Sequence, residues 1–186
     1  MSGRLRIIGG EWRGRRLRVA GAPGLRPTGD RVRETLFNWL QGRVAGARVL
    51  DLFAGTGALG LEALSRGAAD AVFVERARRA ARHLEDHLEQ LGARDRGQVW
   101  CGDAGRYPGA DAGPFDLVFL DPPFASALQQ PMLTRVLGEG WVQPGGLVYV
   151  ESDARAAALV LPAGWAMTRE TRIGAVHGAL VGPRSD

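Results

Sequence analysis

Lysine is missing from this chain of 186 residues, so all 24 basic side chains are arginine. With alanine and glycine also abundant, the missing lysine reads as coding bias, and arginine identity alone argues nothing about bidentate phosphate recognition. Cysteine occurs once, at Cys101, which excludes an intramolecular disulfide. Histidine is nearly as scarce. His83 and His87 lie one helical turn apart, but no third ligand follows at a metal-binding spacing, so the stretch His83 to Glu89 reads as a solvated helix face and no metal is expected. Apolar runs stop at strand length, which excludes a membrane helix, and Met1 to Arg6 lacks the apolar core of a secretory signal. A cytoplasmic enzyme or binding protein fits these absences. The length suits one main domain with a substantial core.

The charge is unevenly placed. Residues 1–33 hold nine arginines against Glu11 and Asp30, a balance of 9 − 2 = +7, so the remainder carries −3 of the net +4. A basic segment on a near-neutral body suits a polyanion, with Arg4, Arg6, Arg13, Arg15, Arg16 and Arg18 as candidate phosphate contacts. Residues 4–19 show two partly alternating stretches around Gly9-Gly10, the pattern of a β-hairpin or paired arm, with Arg4 and Arg6 on one face and Leu5 and Ile7 on the other. Residues 1–29 are therefore expected to form a basic arm and residues 30–186 the main domain. A helix should follow over 31–40, capped by Asp30, with Val32, Leu36, Phe37 and Leu40 as its apolar stripe.

From Ala47 onward strand-like and helix-like runs alternate, which predicts an α/β fold with a parallel sheet covered on both faces. Strands are expected over 48–53, 71–75, 98–102, 116–121 and 147–151. Helices are expected over 58–65, 77–91 and 128–137, with a closing antiparallel hairpin from 165–171 and 175–181. In such a sheet ligands bind beyond the carboxyl ends of the strands, and Asp51, Glu75, Asp103 and Asp121 fall at four such ends.

Gly55, Gly57 and Gly60 form G-x-G-x-x-G between a strand and a helix, a spacing that serves a dinucleotide or S-adenosylmethionine equally. Asp51, just before the glycines, tips the balance: negative charge there repels phosphates and suits the ammonium of a methionine moiety. Glu75 can hold ribose hydroxyls and Asp103 an adenine amino group. Asp121-Pro122-Pro123-Phe124 then places a carboxylate, two rigid prolines and an aromatic ring together. Asp121 and the Pro122 carbonyl are candidate acceptors for a planar amine. Phe124 either stacks on a base or packs beside the sheet.

Together these motifs resemble a class I S-adenosylmethionine-dependent methyltransferase. Arg6-Ile7-Ile8-Gly9-Gly10, Trp12-Arg13-Gly14-Arg15, Gly24-Leu25-Arg26-Pro27-Thr28, Asp30 to Leu40 and Tyr149-Val150-Glu151-Ser152 are similar to the RsmD family of small-subunit ribosomal RNA methyltransferases. The resemblance implies a Rossmann-like seven-stranded sheet with an antiparallel strand inserted near the end. It also implies methylation of guanine N2 in 16S ribosomal RNA, a flipped base against Asp121 to Phe124, and Phe53, Thr28 and Arg31 joining the cofactor residues. The expected partner is the small ribosomal subunit or its assembly intermediate, met by a monomer. A dinucleotide-dependent oxidoreductase, a DNA or other RNA amino-methyltransferase and a non-catalytic assembly factor are the alternatives. The oxidoreductase leaves Asp121 to Phe124 and the basic arm unexplained.

Overall fold

The computed structural model describes residues 3–19, 29–123 and 127–184. In chain order its elements are β1 (Gly3–Arg6), β2 (Arg16–Val19), α1 (Asp30–Trp39), β3 (Arg48–Asp51), α2 (Ala58–Ser65), β4 (Asp70–Glu75), α3 (Arg78–Gln90), β5 (Gly97–Cys101), β6 (Phe115–Leu120), α4 (Gln129–Gly138), β7 (Val142–Asp153), β8 (Trp165–Ile173) and β9 (Val176–Pro183). Seven strands form one sheet in the order β5-β4-β3-β6-β7-β9-β8, and β1 and β2 form a separate ribbon. The first five strands of the large sheet are parallel, whereas β9 runs antiparallel between β7 and β8. The architecture is therefore that of class I methyltransferases.

The central strands read as continuous apolar runs because both faces are covered. On one face Val49, Phe73, Leu117, Phe119 and Tyr149 pack with α1, α2, α3 and the ribbon; on the other Leu50, Val72, Val118 and Val148 pack with α4, Tyr107 and Trp141. Helix α2 is buried at every position from Ala58 to Ser65. A helix buried all round is squeezed between two layers. Here the second layer is the arm, since Leu5, Ile7, Trp12 and Leu17 belong to the same apolar cluster as Leu61 and Leu64.

The predicted elements are present with boundaries shifted by a few residues, and four local readings need correction. The strand predicted over 147–151 is the centre of the longer β7, which gains residues at its far end from pairing with β9. The hairpin does not turn tightly at Gly9-Gly10: β1 and β2 pair from Arg6↔Arg16 outward, leaving residues 7–15 as a docked loop. Gly10 faces Ser65 so closely that a Cβ there would sit 1.8 Å from the Ser65 carbonyl oxygen. Asp30 does not cap α1, whose cap position is Gly29 with no side-chain hydrogen bond. Asp30 is the first helical residue, and its carboxylate pairs with Arg6 at 2.9 Å and Arg33 at 2.6 Å. Finally, His87 is not on a solvated face. It is buried, with Nε2 2.9 Å from the Arg18 carbonyl oxygen, so it joins α3 to β2; burial holds its imidazole below the ordinary histidine range.

Candidate active site

The carboxyl ends of β5, β4, β3, β6 and β7 lie side by side, and each carries or is soon followed by an acid: Asp103, Glu75, Asp51, Asp121 and Glu151. The four acids taken from the sequence are thus brought to one edge of the sheet. Sequence reasoning did not place Glu151 among them, although the same signal, an acid ending an apolar run, marks it.

Three of the acids shape the loops around them. The Gly55 amide donates to Glu75 Oε2 (2.9 Å) and the Ala77 amide to Glu75 Oε1 (2.7 Å), which ties the glycine loop to the end of β4. A carboxylate has about four lone-pair sites, so these bonds leave acceptor capacity for ribose hydroxyls. Asp103 accepts the Gly105 amide at 2.8 Å and caps a short 3-10 turn over Ala104–Arg106. Asp51 accepts the Gly60 amide at 3.0 Å and is only 2% exposed. Burial raises its carboxyl from the usual carboxylate range to about 7; the Gly60 amide opposes the rise, and Asp121 and Glu75 add to it.

The glycines divide the work. Gly57, at φ 78°, precedes the first residue of α2, and a Cβ there would meet Leu84; at Gly60 it would meet the Phe73 ring at 2.3 Å. Both are packing glycines. At Gly55 (φ 53°) a Cβ would meet only the Phe53 carbonyl oxygen, at 3.9 Å, so this part of the loop faces open space where a ligand can approach the backbone. An open glycine loop among acids fits a donor rich in hydroxyl, amino and ammonium groups, the donor set of S-adenosylmethionine.

Beyond β6, Asp121 is half-buried, Pro122 buried and Pro123 exposed. Parallel register pairs Phe119 with Tyr149 and Leu120 with Val150, so Asp121 and Glu151 leave the ladder as neighbours. Alternation puts both side chains on the face that holds Phe119 and Tyr149. The Tyr149 hydroxyl donates to Glu151 Oε2 at 3.1 Å. Burial, with Glu151 and Asp121 adding their charge, pushes this phenol far above its ordinary range, so it stays a donor. Pro122, Pro123, Gln129, Glu151 and Ser152 line one cleft beside this edge.

Of the remaining candidates, Phe53 is half-buried at the glycine loop and Arg31 is exposed in the first turn of α1. Thr28 and Phe124 lie outside the described residues. Arg4, Arg6, Arg13, Arg15, Arg16 and Arg18 are all exposed. Arg4 stands opposite Arg18 and Arg6 opposite Arg16 across the ribbon. Such like-charge pairs are unfavourable without a counter-charge, which Asp30 provides for Arg6.

Comparison with known proteins follows the same line. Residues 5–182 match the sequence model of the family described as "Conserved hypothetical protein 95". Ribosomal RNA small subunit methyltransferase D of Escherichia coli (strain K12) is 45% identical over 175 residues, which is 94% of this chain and 88% of that protein. A solved Escherichia coli structure described as a methyltransferase superposes with a TM-score of 0.89 at 43% identity, covering 99% of this chain and all of the other. A more distant methyltransferase, SMU.776, solved in complex with SAH, shares the fold at a TM-score of 0.72 and 17% identity over 90% of this chain and 53% of its own length. The match begins inside β1 and ends inside β9, so it takes in the arm, the glycine loop and the Asp-Pro-Pro turn together, and the chain belongs to the RsmD family of ribosomal RNA methyltransferases.

Proposed function

We propose that this protein methylates the exocyclic N2 amine of a guanine in 16S ribosomal RNA of the small subunit, at position 966 as the family resemblance implies. The methyl donor is S-adenosylmethionine, which supplies an electrophilic carbon on a sulfonium. The observation that carries the reading is the juxtaposition of an open glycine loop, flanked by Asp51 and Glu75, with Asp121-Pro122 at the end of the adjacent strand. In this reading the loop, Asp51, Phe53, Glu75, Asp103, Arg31 and Thr28 hold the donor. Asp121 and the Pro122 carbonyl hold the amine.

The difficulty of the reaction is that the amine lone pair is delocalised into the base. Two acceptors, one for each amino N–H, favour a pyramidal nitrogen with its lone pair out of the ring plane. Catalysis therefore rests on orientation and electrostatics. No strong base is required before attack, because the alkylated nitrogen is acidic and loses its proton to solvent afterwards. Phe124 is assigned to stacking on the extruded base. The exposed arginines of the ribbon contact phosphates, adding affinity without sequence information.

With the small ribosomal subunit as its substrate, the protein is assigned in this reading to the cytoplasm, and it is expected to act as a monomer. No described helix is long and apolar enough to cross a membrane, and the large apolar side chains exposed among the described residues, Leu128, Val160 and Met167, are few. Transfer of labelled methyl to small subunits lacking the modification, followed by nucleoside analysis, tests the proposal. N2-methylguanosine is the expected product; label on adenine, cytosine or DNA would overturn the substrate, and no label would favour a non-catalytic assembly factor.

A further inference from the structure

The two acceptors assigned to the amine do not choose a base, because adenine and cytosine also present an exocyclic amine. The strand edge holds a further carboxylate where the choice can be made. Glu151 follows Val150 in register beside Leu120, so it is the lateral neighbour of Asp121 on the adjacent strand and the same face. It is 4% exposed, its Oε2 is fixed by the Tyr149 hydroxyl at 3.1 Å, and it shares a cleft with Pro122 and Pro123.

We propose that Glu151 is the specificity residue of this site and accepts the N1–H of guanine beside the amine held by Asp121 and Pro122. The inference rests on the methyl-transfer reading above. Guanine presents three N–H groups along one edge, two on N2 and one on N1, and the proposed set of acceptors is Asp121, the Pro122 carbonyl and Glu151. Adenine N1 and cytosine N3 are lone pairs at the corresponding place, so either base would set an acceptor against a buried carboxylate. A site built to accept an N–H discriminates strongly against an analogue that lacks it. Tyr149 contributes by position: its hydroxyl spends its proton on Glu151 and keeps a donor next to the buried charge.

The test uses small subunits reconstituted with a ligated ribosomal RNA that carries either guanine or 2-aminopurine at the target position. 2-Aminopurine keeps the amine on C2 but has a lone pair at N1. Wild-type protein is expected to favour guanine in kcat/KM by on the order of a hundredfold. Glu151→Gln should narrow that ratio to within about tenfold, because an amide can turn either its oxygen or its NH2 toward N1. Binding of S-adenosylhomocysteine by calorimetry should be the same for both proteins.

Equal transfer to both bases by the wild type would overturn the inference while leaving guanine methylation intact. An unaltered guanine preference in Glu151→Gln would also overturn it. No transfer to guanine subunits at all would remove the activity on which the inference rests. The wild-type comparison stands whether or not the variant folds.

Discussion

Glu62 Oε1 lies 2.8 Å from the Gly9 amide nitrogen, so a carboxylate with no exposure on α2 holds the loop of the N-terminal arm. Its other oxygen accepts the Ile8 amide at 2.9 Å, while Arg66 and Arg33 supply the positive charge at 2.8 and 3.4 Å. Ser65, one turn on, completes the clamp by donating to the Gly9 carbonyl and accepting the Trp12 amide. The helix that starts at the glycine loop is thereby the helix that carries the basic arm. Arm and cofactor loop are parts of one packed unit.

Glu62→Ala should therefore destabilise the protein by about 3–5 kcal/mol, since it leaves Arg33, itself 1% exposed, with an uncompensated share of buried charge. Urea unfolding measures this directly. A loss below about 1 kcal/mol would show that the clamp is not a stabilising contact.

Asp51 should give stability and cofactor binding opposite pH dependences. Burial pushes its folded carboxyl up to about 7, well above the usual carboxylate range of about 4. Between those limits the folded state binds more protons than the unfolded one, so this group's contribution to stability falls as pH rises from about 4 to about 7, by at most about 1.4 kcal/mol per pH unit. A ligand ammonium prefers the ionised form, so affinity for S-adenosylmethionine should rise over the upper part of that window. Asp51→Asn keeps an acceptor for the Gly60 amide and should flatten both profiles. Profiles that keep their slopes in this variant would assign the titration to another group.

The strand ends were legible because Val49-Leu50, Ala71 to Val74 and Leu117 to Leu120 are apolar runs closed by Asp51, Glu75 and Asp121, and the parallel sheet then brings those acids together. What the acids do first was not legible. Asp51, Glu75 and Asp103 each accept a backbone amide within nine or twenty or two residues, bonds that depend on how the loop folds back. The clamp was hidden for a different reason. In Ala58 to Ser65, Glu62 and Ser65 look like the polar side of an ordinary helix, and their partners in the arm lie 53 to 56 residues away. His87 misled in the same way, since its burial is created by β2 and not by its own helix. Asp30 shows the limit of local rules: an acid at a helix start serves equally as a cap or as a partner for an arginine three residues on, and Arg6 and Arg33 decide for the second.

Asp121→Ala should lower methyl transfer by at least about a hundredfold, the usual cost of removing one oriented polar group at a reacting centre. Binding of S-adenosylhomocysteine should persist. The variant has a second readout: Asp121 is one of the carboxylates that raise Asp51, so its removal should move the Asp51 titration downward. Undiminished turnover would rule out Asp121 as the amine acceptor.

Arg13, Arg15 and Arg16 should act on RNA affinity and not on chemistry. All three are exposed on the arm, and no ion pair occupies them among the described residues. Arg6, by contrast, is held by Asp30, and Arg96 is drawn to Glu11 at 3.3 Å and lies over the Trp12 ring. The arm thus separates arginines that build its own fold from arginines left facing outward. Each phosphate neutralised contributes about 0.7–0.9 to the slope of log affinity against log salt. Replacing the three by alanine should lower the magnitude of that slope for small subunits by about 2 to 3 and weaken binding at low salt. The maximal rate at saturating subunit should stay near that of the wild type, because none of the three lies at the strand edge where Asp121 and Glu151 meet. An unchanged slope would remove the arm from the RNA interface, and a lost maximal rate with unchanged affinity would make it part of the catalytic apparatus.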